Sequence, residues 1–221
     1  MRIYLRTTPN TCVVPFDYQQ KMAGVIHKWI GNNKIHDKIS LYSFSWLLRG
    51  RMIKDRGFDF SKGATLFISF YENEYLKILI DAILSDPEMF CGLTVNDITI
   101  GQEPSFTEEP HLFRLASPIF IKREEGEKHK FYYYDDEESN DLMTETLKHK
   151  MREAGLSEDE TLKVEFDLTY VGKRKKLATI HGIENKASMC PVIVYGCPES
   201  KLFAWTVGIG NGTGISFGAL L

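Results

Sequence analysis

Two histidines, His27 and His36, have the residue type and the spacing to share one reaction. An imidazole titrates at roughly pH 6.5, so near neutrality one ring can accept a proton while another donates one. Cleavage of RNA needs little more than this, because the 2′-hydroxyl beside the scissile phosphate is already a nucleophile. A base near the 2′-oxygen, an acid near the 5′-oxygen and a cation beside the phosphoryl oxygens complete such a site. Neither metal nor water takes part, and the products are a 2′,3′-cyclic phosphate and a 5′-hydroxyl. His111, His129, His149 and His181 lack ligand spacing such as His-x-x-x-His and read as structural or exposed. Cys12, Cys91, Cys190 and Cys197 are scattered with no Cys-x-x-Cys pair, which argues against a zinc site or disulfide framework and for a reducing cytoplasm.

The second feature with chemical content is the C-terminal stretch, where Gly208, Gly210, Gly212, Gly214 and Gly218 alternate with other residues. Such backbone reaches positive φ and approaches a ligand closely, and bare amides facing outward suit an anion such as a polynucleotide phosphate. A P-loop is excluded because no Gly-Lys-Ser/Thr and no helix follow. A dinucleotide fingerprint is excluded for want of the helix. The residues after Ser216 are apolar and suffice only for a final strand. A basic turn, Lys173, Arg174, Lys175 and Lys176, is a further candidate for gripping phosphates.

The elements that must position these residues are read from periodicity. Arg2 to Thr7 alternates as a strand. Asp17 and Gln20 make a capping-box pattern that opens a helix. Met22, Val25, Ile26, Trp29 and Ile30 form its apolar stripe and Gly31 its stop, leaving His27 at the border with its ring available to solvent or ligand. The following loop carries Lys34-Ile35-His36-Asp37-Lys38. Leu41 to Leu48 and Met52-Ile53 read as paired strands, Ala64 to Tyr71 as a strand, Asn73 to Leu84 as a helix, and Leu93 to Ile100 as a strand. That order is the ferredoxin-like unit, βαββαβ.

Gln102 to Pro110, rich in Pro, Glu, Ser and Thr, reads as a linker. The second half then repeats the order more loosely. A strand ends near Lys122, a helix opens at Ser139, and Leu162 to Tyr170 alternates. The basic turn leads into Leu177 to Ile180, Pro191 to Tyr195 is a strand, and Pro198 to Val207 is a short helix. Met143, Leu147, Met151 and Ala154 face inward on the second-half helix, with Lys148, Lys150 and Arg152 on its outer face. The expectation is an α+β protein of tandem ferredoxin-like (RRM-like) domains, residues 1–104 and 105–221, with a C-terminal glycine-rich loop.

Composition agrees with a globular protein. The chain has 221 residues, 43% hydrophobic and 26% charged, with no apolar run of membrane-spanning length and no signal-peptide core at its start. A net charge of −3 argues against binding nucleic acid through bulk charge while permitting a local basic groove.

Three landmarks in order resemble one family: Pro15-Phe16-Asp17-Tyr18-Gln19, Ala116-Ser117-Pro118-Ile119, and the closing Gly208-Ile209-Gly210 with Phe217-Gly218. They resemble the CRISPR-associated endoribonucleases of the sixth Cas family, which cut precursor CRISPR RNA within its repeats. Ser216 stands where that family usually has glycine. The resemblance implies a tandem ferredoxin-like fold and a cytoplasmic, metal-independent endoribonuclease without cofactor. His27 and His36 would be its acid–base residues, and Lys38 would stabilise charge at the phosphate. RNA would be held by Gly208, Gly210, Gly212, Gly214, Ser216 and Gly218 together with Lys173 to Lys176. The implied partners are CRISPR repeat RNA, other effector subunits and a second copy of the chain. Two other classes remain open from the residues alone. One is a non-catalytic RNA-binding effector subunit; the other is a ferredoxin-like small-molecule enzyme, which would leave the glycine loop and basic turn without a task.

Overall fold

The computed structural model describes residues 1–31, 39–126, 128–180 and 182–221. Its first half runs β1 (Arg2–Thr7), α1 (Gln19–Ile30), β2 (Tyr42–Phe44), β3 (Arg51–Ile53), β4 (Gly57–Asp59), β5 (Thr65–Phe70), α2 (Asn73–Ser85) and β6 (Val95–Gly101). The sheet order is β2-β5-β1-β6, with every neighbour antiparallel. Alternation along β1 sends Ile3 and Leu5 to one face, where Met22, Ile26 and Trp29 of α1 and Leu76, Leu79 and Ile83 of α2 cover them. Arg2 and Tyr4 point to the other face.

Two local expectations fail for tertiary reasons. The Asp17–Gln20 capping box does not form the start of α1, which has Tyr18 at its N-cap and no side-chain cap. The Tyr18 ring is buried, stacks on Phe90 and accepts a hydrogen bond from the Leu47 amide at 3.0 Å, so packing sets the helix start. Nor do Leu41–Leu48 and Met52–Ile53 pair. β2 pairs with β5, while β3 pairs with β4 as an inserted hairpin. Arg49, at φ 71, turns the chain out of line between them.

The second half runs β7 (His111–Phe113), β8 (Ile121–Glu125), β9 (Lys128–Tyr132), α3 (Ser139–Glu153), β10 (Lys163–Phe166), β11 (Arg174–Ile180), β12 (Ile183–Met189), β13 (Val192–Tyr195) and α4 (Pro198–Val207). Its sheet is β10-β13-β7, and the chain end adds beside β7 through the Leu115–Leu220 bridge. The expected last strand is therefore reduced to that bridge, the 2.8 Å bond from Ala116 N to Ala219 O and the 2.9 Å bond from Leu221 N to Arg114 O. Counting that edge, the strand order repeats that of the first sheet, and the fold is α+β, tandem ferredoxin-like. Residues 102–110 form no regular element, and buried Lys201 ties them down with a 2.9 Å bond to Thr107 O.

The strand expected over Leu162–Tyr170 stops at Phe166, because Asp167 Oδ1 accepts from the Thr169 amide at 3.0 Å and turns the chain. The expected basic turn is also revised. Arg174, Lys175 and Lys176 lie within β11, and the hairpin turns at its far end beside Gly182.

The two halves meet at the C-terminal end of α4. A helix leaves its last carbonyls without intrahelical partners, and the helix dipole makes that end negative. Here other elements supply the donors. Arg2 Nη2 of β1 donates to Trp205 O at 2.7 Å and to Leu220 O at 2.9 Å. Ser43 Oγ of β2 donates to Thr206 O at 2.8 Å, and Lys150 Nζ of α3 donates to Val207 O at 3.2 Å. The Arg2 guanidinium is also sandwiched between the rings of Phe67 and Trp205, 3.7 and 3.6 Å from their centroids. Burial lowers its pKa to about 10, so it stays charged at neutral pH. Removing it would strand the carbonyls of Trp205 and Leu220. Arg2→Ala is expected to lower the unfolding free energy by about 3 kcal/mol, measured by urea denaturation. A loss below about 1 kcal/mol would contradict this role.

Candidate functional site

His27 sits near the end of α1, on the helix border between the buried stripe and solvent, and is half-buried. Its Nε2 lies 3.2 Å from the Tyr42 hydroxyl and 3.3 Å from the carbonyl oxygen of Gly214. Tyr42 is the first residue of β2, and its hydroxyl lies 3.3 Å from the same carbonyl. Burial raises the Tyr42 pKa, so the phenol keeps its proton at neutral pH. The Gly214 oxygen only accepts, whereas the phenol donates or accepts. Nε2 can therefore donate to Gly214 as one tautomer or accept from Tyr42 as the other.

Gly214 belongs to the segment that returns from α4 to the chain end. The segment is pinned from several sides. Ile209 N donates to Gly218 O at 2.9 Å, Asn211 N to Phe120 O at 2.7 Å, and Gly218 N to Pro118 O at 2.8 Å. Trp46 Nε1 of the first half donates to Ser216 O at 2.7 Å. Gly208, Gly210, Gly214, Ser216 and Gly218 are buried and Gly212 is half-buried, so little of this backbone faces outward, contrary to the sequence expectation. Four of the glycines are demanded by space: a Cβ at Gly208 would lie 2.6 Å from Gly218 O, and one at Gly210 2.5 Å from Phe120 O. A Cβ at Gly218, which has φ 66, would overlap the Ile209 carbonyl. One at Gly214 would meet Ser40 Oγ and lie 2.7 Å from the Tyr42 hydroxyl.

Where the segment does reach the surface it lines a pocket of about 210 Å³, with Gly210, Asn211, Gly212 and Thr213 on one side. Ile39, Ser40, Thr146 and Lys150 complete it. Lys150 is buried, not on the outer face of α3 as the sequence suggested. Burial pushes its ammonium down to about 7. Among the described residues no carboxylate pairs with it. The signal was present. Lys150 continues the stripe of Met143 and Leu147 at helical spacing, and its charge alone argued for the outside. Tyr42 carried no comparable signal.

His36 and Lys38 lie outside the described residues. Arg174, Lys175 and Lys176 lie on β11, and α1, which carries His27, packs against that strand. The far end of their strand, Ala178 and Ile180, is what packs against Phe217 of the glycine segment. Lys173 Nζ donates to Leu168 O at 2.9 Å, and Lys175 pairs with Asp135 at 2.8 Å and stands 4.4 Å from the Tyr133 ring centroid.

Tandem ferredoxin-like sheets closed by a buried glycine-rich segment define the class. Within it, residues 101–220 match the family model described as CRISPR associated protein Cas6, C-terminal. That match covers more than half of the chain, and the chain belongs to this family. Solved structures agree on the fold. A structure described as a Cas6-related gene from Pyrococcus furiosus superposes with a TM-score of 0.85 at 22% identity, over 100% of this chain and 97% of that one. One described as CRISPR associated protein Cas6 gives 0.84 at 23%, covering 100% and 98%. A RAMP protein described as binding different RNA substrates gives 0.84 at 21%, again covering 100% and 98%. No curated protein matches the chain. No helix among the described residues is long and apolar enough to cross a membrane.

Ser216, where the family usually has glycine, adopts φ 84, and its buried hydroxyl has no hydrogen-bond partner among the described residues. Both features oppose the native state, by about 1 kcal/mol or more each. Part of that gain is offset by the freedom glycine adds to the unfolded chain. Ser216→Gly is therefore expected to raise stability by about 1 kcal/mol in chemical denaturation, and a destabilised variant would overturn the assignment of strain.

Proposed function

We propose that this chain is a metal-independent endoribonuclease that cuts precursor CRISPR RNA within the repeat to give mature guide RNA. The observation that carries the reading is the contact of the His27 imidazole with the Gly214 carbonyl, at 3.3 Å, in a family of CRISPR-associated proteins. It puts a group able to move a proton near neutrality against backbone that also lines a pocket. His27 and His36 act as the base and acid on the 2′-oxygen and the 5′-oxygen, and Lys38 stabilises charge on the phosphoryl oxygens. The bond from the 2′-oxygen to phosphorus forms as the bond to the 5′-oxygen breaks. One proton leaves the 2′-hydroxyl and one reaches the 5′-oxygen, so the cyclic phosphate and 5′-hydroxyl need no water. Tyr42, held protonated by burial, orients the imidazole. The glycine segment and Lys173 to Lys176 hold the RNA backbone across the two halves, which divide at 104/105. The setting is the cytoplasm, with other effector subunits or a second copy as further partners.

A second reading, a non-catalytic RNA-binding effector subunit, draws support from the similar RAMP protein described as binding different RNA substrates. Incubation with the cognate repeat RNA in excess chelator separates the two. Cleavage that is lost with a 2′-deoxy substitution at the cut site supports the nuclease, and tight binding with no cleavage supports the subunit. His27→Ala and His36→Ala are each expected to slow single-turnover cleavage by roughly 10²-fold while RNA affinity stays nearly constant. Wild-type rates in either variant would remove that histidine from the mechanism.

A further inference from the structure

We propose that Lys150 is the positioning residue of the His27 site, holding the glycine segment so that its Gly214 carbonyl meets the imidazole. The Lys150 ammonium gathers both ends of one turn of backbone. It donates to Val207 O at 3.2 Å and Gly208 O at 3.4 Å where α4 ends, and to Thr213 Oγ1 at 3.0 Å on the residue before Gly214. Thr213 Oγ1 passes the constraint on, donating in turn to Ser40 O at 3.5 Å. Its hydroxyl is thus committed on both sides, which fixes the peptide that leads to the Gly214 carbonyl. That carbonyl lies 3.3 Å from His27 Nε2 and 3.3 Å from the Tyr42 hydroxyl.

A cation is needed at this point rather than an apolar side chain. Two main-chain carbonyls and a hydroxyl converge on it, and the carbonyls belong to the negative end of α4. One turn earlier on α3, Thr146 Oγ1 accepts from Arg123 Nη2 at 2.9 Å. Arg123 Nη1 also lies 3.4 Å from Asn211 Oδ1, so a second side chain reaches the same segment from β8. Lys150 therefore acts on His27 at one remove, through the glycine segment.

A merely structural cap would behave like Ser43, which satisfies the neighbouring Thr206 carbonyl at 2.8 Å and, among the described residues, makes no side-chain hydrogen bond to Thr213 or Gly214. The test compares Lys150→Met and Thr213→Val with Ser43→Ala in the full chain. Nitrogen-15 NMR titration of His27 and single-turnover cleavage of repeat RNA are read beside the thermal midpoint. All three variants lower the midpoint. Lys150→Met and Thr213→Val are expected to move the His27 titration and slow cleavage by about tenfold or more, with RNA affinity changed far less. Ser43→Ala leaves both readouts near wild type, and Lys150→Arg, which keeps the cation, recovers part of the rate. Should Lys150→Met not fold, Thr213→Val carries the test alone, since it keeps the cap on α4. An unmoved His27 titration in Thr213→Val would overturn the proposal. The cleavage arm rests on the nuclease reading, but the NMR arm does not, so failure of one is distinguishable from failure of the other.

Discussion

The last carbonyls of α4 are the constraint on which the rest of the molecule depends. A helix end buried without donors would cost a kilocalorie or more per carbonyl, of order 1–3 kcal/mol each. Trp205, Thr206 and Val207 instead receive Arg2, Ser43 and Lys150, drawn from β1, β2 and α3. Arg2 is a cation at neutral pH, and Lys150, held down to about 7 by burial, is one when protonated; the helix dipole favours positive charge at that end. Two of the three donors come from the first ferredoxin-like unit, so satisfying one helix also joins the two sheets. Aromatic faces of Phe67 and Trp205 on either side of Arg2 exclude water from the junction.

From that junction the chain has one way to finish. It turns at Gly208, where φ is 75, and returns beneath β8 through the Asn211–Phe120 bond. It passes His27 at Gly214 and closes beside β7. The glycines are explained by crowding along this path more than by exposure to a ligand. Gly218 lies against the Ile209 carbonyl, and Gly214 against Ser40 and Tyr42. A segment packed this tightly cannot shift without moving the groups it touches, and His27 is one of them. The proposed chemistry therefore draws its geometry from tertiary packing on both sides of the domain junction.

Much of the fold was legible in the chain itself, because periodic apolar residues state which face is buried. β1 over Arg2–Thr7, read from alternation, and the short helix α4 over Pro198–Val207 fall where the sequence puts them. What was not legible depends on partners distant in sequence. The β2–β5 pairing needs Ser69 and Phe70 opposite Ser43 and Tyr42, and no local pattern distinguishes that from pairing with β3. Arg2 gives no sign of being a core residue, and Lys150, though it continues an apolar stripe, reads as solvated by its charge until the carbonyls it meets are known. His27 was found as a border residue with an available ring. That its neighbours are Tyr42 and Gly214 could come only from the fold. The glycine pattern is visible in the sequence but its burial is not, since outward amides and tight packing leave the same glycines.

The most direct measurement is a crystal structure of the chain with repeat RNA made inert by a 2′-deoxy nucleotide at the cleaved position. The expected result is a ribose-phosphate junction seated beside the glycine segment, with His27 within about 3–4 Å of one of the two reacting oxygens. RNA bound with that junction on another face, and the His27 ring still closed against Tyr42 and Gly214, would contradict it.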